Sequence, residues 1–126
     1  MKVPEIQRFS VGPRMSEMAI YNNTVYLAGQ IAEKTAGQDI QAQTTEVLAC
    51  IDGLLAQAGS DKSKILHCQI FLADLADFPG MNQVWDQWVL AGHTPPRATV
   101  QAKLANPLWK VEIVITAAAY EIQTAF

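Results

Sequence analysis

Cysteine and long apolar runs are both scarce in this 126-residue sequence. Its two cysteines, Cys50 and Cys68, are too few for a disulfide scaffold. We therefore expect small buried thiols and a reducing, cytoplasmic setting. The longest stretch without a charged residue, Met18–Ala32, contains two asparagines and falls short of the roughly 20 apolar residues that span a bilayer. We predict no membrane segment and, because the first ten residues lack an apolar core, no secretory signal.

Positive charge is also in short supply, because nine Lys and Arg residues face twelve Asp and Glu residues and leave a formal net charge of −3. Such a chain has no overall basic field to hold nucleic acid or an anionic membrane, so neither is an expected partner. The glycine-rich phosphate motifs and the Gly-x-Ser-x-Gly motif are absent, which gives no support to a nucleotide cofactor or a hydrolase triad. His67, Cys68 and His93 lack zinc-ligand spacing, so we expect no metal.

The composition that remains is globular, with 50% hydrophobic and 17% charged residues, and the length fits one domain over residues 1–126. Apolar periodicity and turn residues predict an α+β chain in the order βββαβαββ, with a mixed six-stranded sheet and two helices. The predicted strands are Pro4–Arg8, Glu17–Tyr21, Thr24–Ile31, Ile65–Leu72, Arg97–Ala102 and Lys110–Tyr120, and the predicted helices are Asp39–Ala58 and Asp77–Leu90.

Asparagine and aspartate mark several boundaries of these elements. Asn22 and Asn23 tolerate the left-handed backbone of a two-residue turn, so the second and third strands should form a hairpin. Asp77 is expected to cap the second helix. Trp85 and Trp88 lie on the apolar stripe of that helix, which makes them core or interface residues rather than platforms for nucleic-acid bases.

Two helices can cover only one face of such a sheet, yet the last strand is apolar on both faces. Its two sets of side chains are Val111, Ile113, Ile115 and Ala117 on one face, and Val114 and Ala118 on the other. A sheet with one solvated face would instead alternate apolar and polar residues. We therefore expect the uncovered face to pack against a copy of itself in a homo-oligomer.

Two charged residues stand out as candidate site residues. Arg97 is one of three arginines and follows a rigid Pro-Pro pair. Its guanidinium suits bidentate recognition of a carboxylate, and the alternative is a surface or structural ion pair. Glu112 is the single charged residue in the stretch Val111–Tyr120 and suits holding a proton or orienting a water molecule. The alternative is an ion pair with Lys103 or Lys110.

The turn residues Asn106-Pro107 predict that the last two strands form a hairpin, which would bring Arg97 and Glu112 onto adjacent strands. Their faces would then depend on the register. If the numbers of two directly paired residues add up to an odd number, as for Thr99 opposite Glu112, the side chains of Arg97 and Glu112 lie on one face of the sheet. If they add up to an even number, the two side chains lie on opposite faces.

A series of short motifs runs in a fixed order from about Gly12 to Ala119. They are Gly12-Pro13, Leu27-Ala28-Gly29-Gln30-Ile31, Ile70-Phe71-Leu72-Ala73-Asp74, Asp77-Phe78, Met81-Asn82, Pro96-Arg97-Ala98-Thr99-Val100 and Val111-Glu112-Ile113. In order and spacing they resemble the RidA-like (YjgF-type) reactive intermediate imine/enamine deaminase family. The segments Trp85-Asp86-Gln87-Trp88 and Gly92–Arg97 resemble a YoaB-like branch of it.

The resemblance implies a chorismate-mutase-like fold and a homotrimer whose sheets form an inner barrel, with sites in clefts between subunits. It also implies an enzyme of the 2-iminobutanoate/2-iminopropanoate deaminase type. Such an enzyme hydrolyses small 2-imino acids, formed from enamines such as 2-aminoacrylate, to 2-keto acids and ammonia without a cofactor. Holding one carboxylate and one water molecule in register is enough machinery for that reaction, because imines hydrolyse readily.

The family's site residues carry over to individual positions of this sequence. Arg97 matches the arginine that clamps the substrate carboxylate, and Glu112 matches the glutamate that positions or activates the water. Gly29 matches a backbone contact in the pocket wall, and the carbonyl of Thr99 lies where the family contacts the imine nitrogen. Asn82 matches an asparagine near the cleft.

Two positions depart from the family pattern. Arg14-Met15 stands where many members have a tyrosine, and Thr99 stands where many have a cysteine. We expect Arg14 at the cleft mouth, where it would attract anions, and the alternative is an ion pair with Glu17. These departures keep a second function open, the non-catalytic binding of a small carboxylate. A ribonuclease or translation inhibitor is the third, and the acidic net charge opposes it.

Overall fold

The computed structural model describes residues 5–119, which follow the predicted βββαβαββ order. The strands are β1 Gln7–Val11, β2 Ser16–Tyr21, β3 Thr24–Leu27, β4 Ile65–Leu72, β5 Arg97–Gln101 and β6 Val111–Ala118, and the helices are α1 Ile40–Gln57 and α2 Phe78–Trp88. The six strands form one mixed sheet in the order β1-β2-β3-β6-β4-β5. All neighbours are antiparallel except β4 and β5. This confirms the predicted fold class.

The β2–β3 hairpin forms as predicted, because its two turn residues adopt the left-handed conformation. Asn22 and Asn23 have φ angles of 49° and 61°, and the pair Tyr21 and Thr24 closes the ladder on either side. Asparagine tolerates this region better than most residues do. The strand after the turn is shorter than predicted. It ends at Leu27, and only an isolated bridge between Gln30 and Ile113 continues the pairing.

The two helices begin in different ways. Oδ1 of Asp39 accepts a hydrogen bond from the Ala42 amide at 2.8 Å, so Asp39 caps α1. The predicted cap at Asp77 is wrong, because its side chain makes no capping hydrogen bond. A turn of 3₁₀ helix at Leu75–Asp77 leads directly into α2, and Asp74 caps that turn by accepting from the Ala76 amide at 2.9 Å. The chain is therefore already helical at Asp77. The helix also ends at Trp88, two residues before the predicted Leu90.

The predicted hairpin of the last two strands is also wrong. β5 pairs with β4 alone, in parallel, and β6 lies on the other side of β4. The nine residues between β5 and β6 are numerous enough to carry the chain past the end of β4. Asn106-Pro107 turns the chain within this connection without making its flanking strands neighbours. Two other predicted boundaries, Pro4 and Tyr120, lie outside the described residues.

One face of the sheet packs against both helices, and the other is open. The inward side chains Val111, Ile113, Ile115 and Ala117 of β6 join residues of α1 and α2 in the buried core. The open face carries Phe71 and Val114, which are half-buried, and the more exposed Tyr26 and Val100. The apolar character of both faces is therefore present in the fold. Within residues 5–119, neither helix combines the length and the hydropathy needed to cross a bilayer.

Candidate functional site

Arg97 is the first residue of β5, and its guanidinium is braced by α2. Because Arg97 pairs with the buried Cys68, its side chain lies on the helix-covered face. Nη1 donates a hydrogen bond to Oδ1 of Asn82 at 2.9 Å. The guanidinium carbon lies 4.9 Å from the ring centre of Trp85 and 5.6 Å from that of Phe78, within range for cation–π attraction. One amide and two aromatic rings thus orient the planar fork.

No carboxylate within the described part of the chain forms an ion pair with Arg97, whose contacts there are the amide and the two rings. The structural ion pair considered as the alternative is therefore not present among residues 5–119. Amides and aromatic rings orient a guanidinium without neutralising it. A half-buried guanidinium held in this way is well suited to receive a carboxylate ligand.

Glu112 lies on the open face of β6, where it is paired with Phe71. Its carboxylate packs directly against Gly29: a Cβ added at Gly29 would overlap Oε2 of Glu112 and lie 2.8 Å from its Cδ. Glycine leaves room for the carboxylate at this position, and a larger residue would force the Glu112 side chain to move away. Among residues 5–119, Glu112 forms no ion pair, so the alternative partners Lys103 and Lys110 do not neutralise it.

Arg97 and Glu112 do not meet within one chain. Neither register predicted between the last two strands applies, because both strands pair with β4 instead. Thr99 pairs with Ile70, and Glu112 pairs with Phe71. Arg97 lies on the helix-covered face, Glu112 lies on the open face, and β4 separates their strands. One chain therefore carries these two charges on opposite faces of its sheet, and neither has an ion-pair partner among residues 5–119.

The other predicted site residues divide between these two locations. Asn82 and Thr99 lie with Arg97 on the helix-covered side, Asn82 as its hydrogen-bond acceptor and Thr99 two residues along β5. Arg14 and Met15 are exposed in the β1–β2 turn, where the carbonyl of Met15 accepts from the Gly12 amide at 2.8 Å.

That turn lies at the same end of the sheet as Gly29, because the carbonyl of Glu17 accepts from the Ala28 amide at 2.9 Å. The Glu17 side chain accepts from Gln30 at 3.1 Å. Within residues 5–119, it does not form the ion pair with Arg14 that was the alternative.

A cavity of about 310 Å³ lies between α1 and the chain that follows β3. Its lining residues are Glu17, Gly29, Gln30, Ile31, Glu33, Lys34, Glu46 and Cys50. Sequence reasoning missed this cavity and assigned no role to Gln30. A signal for Gln30 was present, since it is the single long polar residue in the otherwise apolar stretch 25–31.

The two thiols are poor nucleophiles in their surroundings. Burial, followed by the charge of Glu46, raises the pKa of Cys50. Burial also raises the pKa of Cys68 to about 12, against a smaller lowering by Arg97. Both therefore stay protonated near neutral pH. Within residues 5–119, no three His, Cys, Asp or Glu side chains come together as a set of metal ligands.

Two helices on one face of this mixed sheet form an α+β fold that solved structures of known proteins share. The crystal structure of a YjgF family member from Neisseria meningitidis superposes with a TM-score of 0.89 at 45% identity, covering 93% of this chain and 97% of that one. Residues 6–119 match the family model described as Endoribonuclease L-PSP. The chain belongs to this family.

Curated relatives identify the branch. A RutC family protein of Haemophilus influenzae is 56% identical over 112 residues, which are 89% of this chain and 97% of that protein. The RutC family protein YoaB of Escherichia coli K12 is 50% identical over 113 residues, covering 90% and 97%. A more distant relative, Reactive Intermediate Deaminase A of Arabidopsis thaliana chloroplasts, is 31% identical over 82% of this chain and 57% of its own length. The resemblance to a YoaB-like branch of the RidA and YjgF type is thus confirmed.

Proposed function

We propose that this protein hydrolyses small 2-imino acids to 2-keto acids and ammonia, in a cleft formed by two copies of the chain. The observation that carries the proposal is the guanidinium of Arg97, which is braced by Asn82, Phe78 and Trp85 and has no carboxylate partner among residues 5–119. A substrate carboxylate would complete it. The relationship to a reactive intermediate deaminase supports the reaction class.

In the proposed reaction, Arg97 holds the carboxylate and Glu112 orients a water molecule. The water oxygen adds to the imine carbon, while a proton from the water passes through Glu112 to the nitrogen. The tetrahedral intermediate then transfers its hydroxyl proton to the nitrogen, releases ammonia and leaves the ketone. The carbonyl of Thr99 accepts from the imine nitrogen, and Gly29 forms the wall beside the water. Orientation of two reactants accounts for the acceleration, because the chemistry itself is easy.

A second copy of the chain is needed because the two charges lie on opposite faces of one sheet. We propose a homotrimer in which the open faces, with Phe71 and Val114, pack centrally and Arg97 of one copy faces Glu112 of the next. The apolar open face supports this assembly. Light scattering should give three times the chain mass at micromolar concentration. A monomer there would contradict the assembly.

Activity is tested with 2-iminopropanoate generated in situ by an amino-acid oxidase, and the measurement is the rate of keto-acid formation above the spontaneous rate. The wild-type protein should accelerate it, and Arg97→Ala and Glu112→Gln should not. The second candidate function, non-catalytic binding, predicts calorimetric binding of a keto acid without any acceleration. A titration with RNA at several salt concentrations tests nucleic-acid binding, for which the net charge of −3 gives little support.

Mixing the two inactive variants tests whether the site is shared. If each site takes Arg97 from one copy and Glu112 from another, randomly assembled mixtures of Arg97→Ala and Glu112→Gln chains regain about one quarter of the native sites. Activity that returns after joint refolding supports the shared site. Mixtures that stay inactive, although mass spectrometry shows mixed oligomers, contradict it.

We also propose a cytoplasmic setting, in which both thiols stay reduced. Cys50 and Cys68 are free, and Cys68 is fully buried. Fractionation of cells that produce the protein tests this directly.

A further inference from the structure

The side-chain amide of Gln30 lies in the interior beside the candidate site, with only 7% of the residue exposed. Its Nε2 donates to Oε2 of Glu17 at 3.1 Å and to the carbonyl of Ala28 at 3.0 Å. Both donor hydrogens of the amide are therefore used. A buried amide that lost these partners would cost free energy, so the contacts fix its position.

The backbone of Gln30 is fixed just as firmly. Its amide donates to the carbonyl of Ile113 at 2.9 Å, and the Ile113 amide donates back to the carbonyl of Gln30 at 3.1 Å. This reciprocal bridge stands alone, because the β3 ladder has already ended at Leu27. Ile113 directly follows Glu112, so the bridge sets the distance between the Gly29-Gln30 segment and the Glu112 side chain.

Together these contacts enclose Gly29. The side chain of Gln30 reaches back to the carbonyl of Ala28, so the residues on both sides of Gly29 are tied to each other and, through Glu17, to β2. A glycine between two untied residues would have wide conformational freedom. Here it is held against the carboxylate of Glu112, which a methyl group on Gly29 would displace.

We propose that Gln30 is a positioning residue, which holds Gly29 against Glu112 and thereby fixes the direction in which the carboxylate reaches toward water. This rests on the proposed imine hydrolysis for its catalytic consequence. Gln30 acts through Gly29 and Ile113 and touches neither the substrate nor the water. Its loss should therefore impair the chemical step and spare the binding of the substrate carboxylate, which is the task of Arg97.

The first test compares steady-state kinetics of Gln30→Met with those of the wild-type protein. Methionine keeps the length of the side chain and removes both donors. We expect kcat for 2-iminopropanoate to fall about ten-fold, with KM changing less than about two-fold, because only the orientation of the water is disturbed. Gln41→Met is the matched control, since Gln41 is on α1 and its amide bonds Gln83 at 3.3 Å. It should keep wild-type kinetics.

The second test breaks the same hydrogen bond from its other end. Glu17→Leu removes the acceptor, whereas Glu17→Gln keeps an acceptor oxygen and removes only the charge. Glu17→Leu should lower kcat in the same direction as Gln30→Met, and Glu17→Gln should lose less. Equal losses in both would mean that the charge of Glu17 matters rather than its bond to Gln30, which would contradict the proposal.

Amide hydrogen exchange provides a readout that does not depend on activity. In Gln30→Met, the amides of Gln30 and Ile113 should exchange faster, while the remaining amides of β4 and β6 keep their protection. A uniform loss of protection, or a parallel change in kcat and KM, would assign Gln30 a purely structural role and overturn the proposal. If the wild-type protein shows no imine hydrolysis, the proposed function fails. Unchanged exchange at these two amides would still overturn the proposal that Gln30 holds Gly29 in position.

Discussion

The replacement of Arg97 by lysine separates charge from geometry at the proposed carboxylate site. Lysine keeps the positive charge but presents a single ammonium group in place of the planar fork. The structure orients that fork through the bond to Asn82 and the rings of Trp85 and Phe78, none of which positions an ammonium for two parallel hydrogen bonds. We therefore expect Arg97→Lys to remain folded and to fail as a carboxylate clamp.

The magnitude follows from the loss of one hydrogen bond of a bidentate pair. A hydrogen bond to a charged group contributes about 1.5–3 kcal/mol, so a loss near 2 kcal/mol weakens keto-acid binding about thirty-fold. Isothermal titration with 2-ketobutyrate measures it directly. Arg8→Lys is the matched control, because Arg8 is exposed on β1 and should leave the affinity unchanged. Near-normal affinity in Arg97→Lys would refute the clamp and return Arg97 to a structural role.

A second substitution tests the same geometry without touching Arg97. Asn82→Asp puts a carboxylate at the position of the amide oxygen, 2.9 Å from Nη1. The guanidinium would then carry the internal ion pair that it lacks among residues 5–119, and an anionic ligand would have to compete with it. Keto-acid affinity should fall while the free energy of unfolding rises or stays constant. A fall in both would indicate that the substitution disrupts the fold.

Three further predictions concern stability. Gly80→Ala should lower the free energy of unfolding by about 1–3 kcal/mol in denaturant titrations, because its Cβ would lie 2.6 Å from Cγ2 of Ile40 in the helix–helix contact. Gly53→Ala, in open space on α1, should instead raise it by up to about 1 kcal/mol. Burial raises the pKa of Glu46, but hydrogen bonds from the loop before α1 lower it by more, so that the pKa lies below its ordinary value. The stability that this carboxylate adds is therefore complete above its unfolded pKa and disappears as the pH falls through its folded pKa. In Glu46→Gln, the free energy of unfolding should depend less on pH in the acid range.

Local chemistry explains which parts of the fold could be predicted from the sequence. The sequence predicts the turn at Asn22-Asn23 and the strand Ile65–Leu72 with the bounds that the structure shows. In these segments, backbone preference and a charge-free apolar run act over a few residues. The partner of β5 could not be predicted in this way, because Asn106-Pro107 indicates that the chain turns without indicating which strand it meets.

The same distinction applies to the candidate site. Arg97 stands out in the sequence as one of three arginines placed after a Pro-Pro pair, and Glu112 stands out as a lone charge in an apolar stretch. The structure leaves both without an ion pair among residues 5–119. Their separation onto two faces depends on the insertion of β4, a non-local event. Gln30 was missed because its importance comes from two contacts, with Glu17 and Ile113, that join distant parts of the chain.

The strand order makes β1 and β5 the two edge strands of the sheet, each with a neighbouring strand on one side only within residues 5–119. An exposed edge strand has unpaired backbone N–H and C=O groups that can bind another extended chain, and this promotes aggregation. The exposed charge of Arg8 opposes such pairing at β1. On β5, the one charged residue is Arg97, and its side chain contacts α2 instead of solvent beyond the edge. An isolated chain should therefore precipitate through β5 as its concentration rises, and a lysine in place of the exposed Val100 should delay that precipitation.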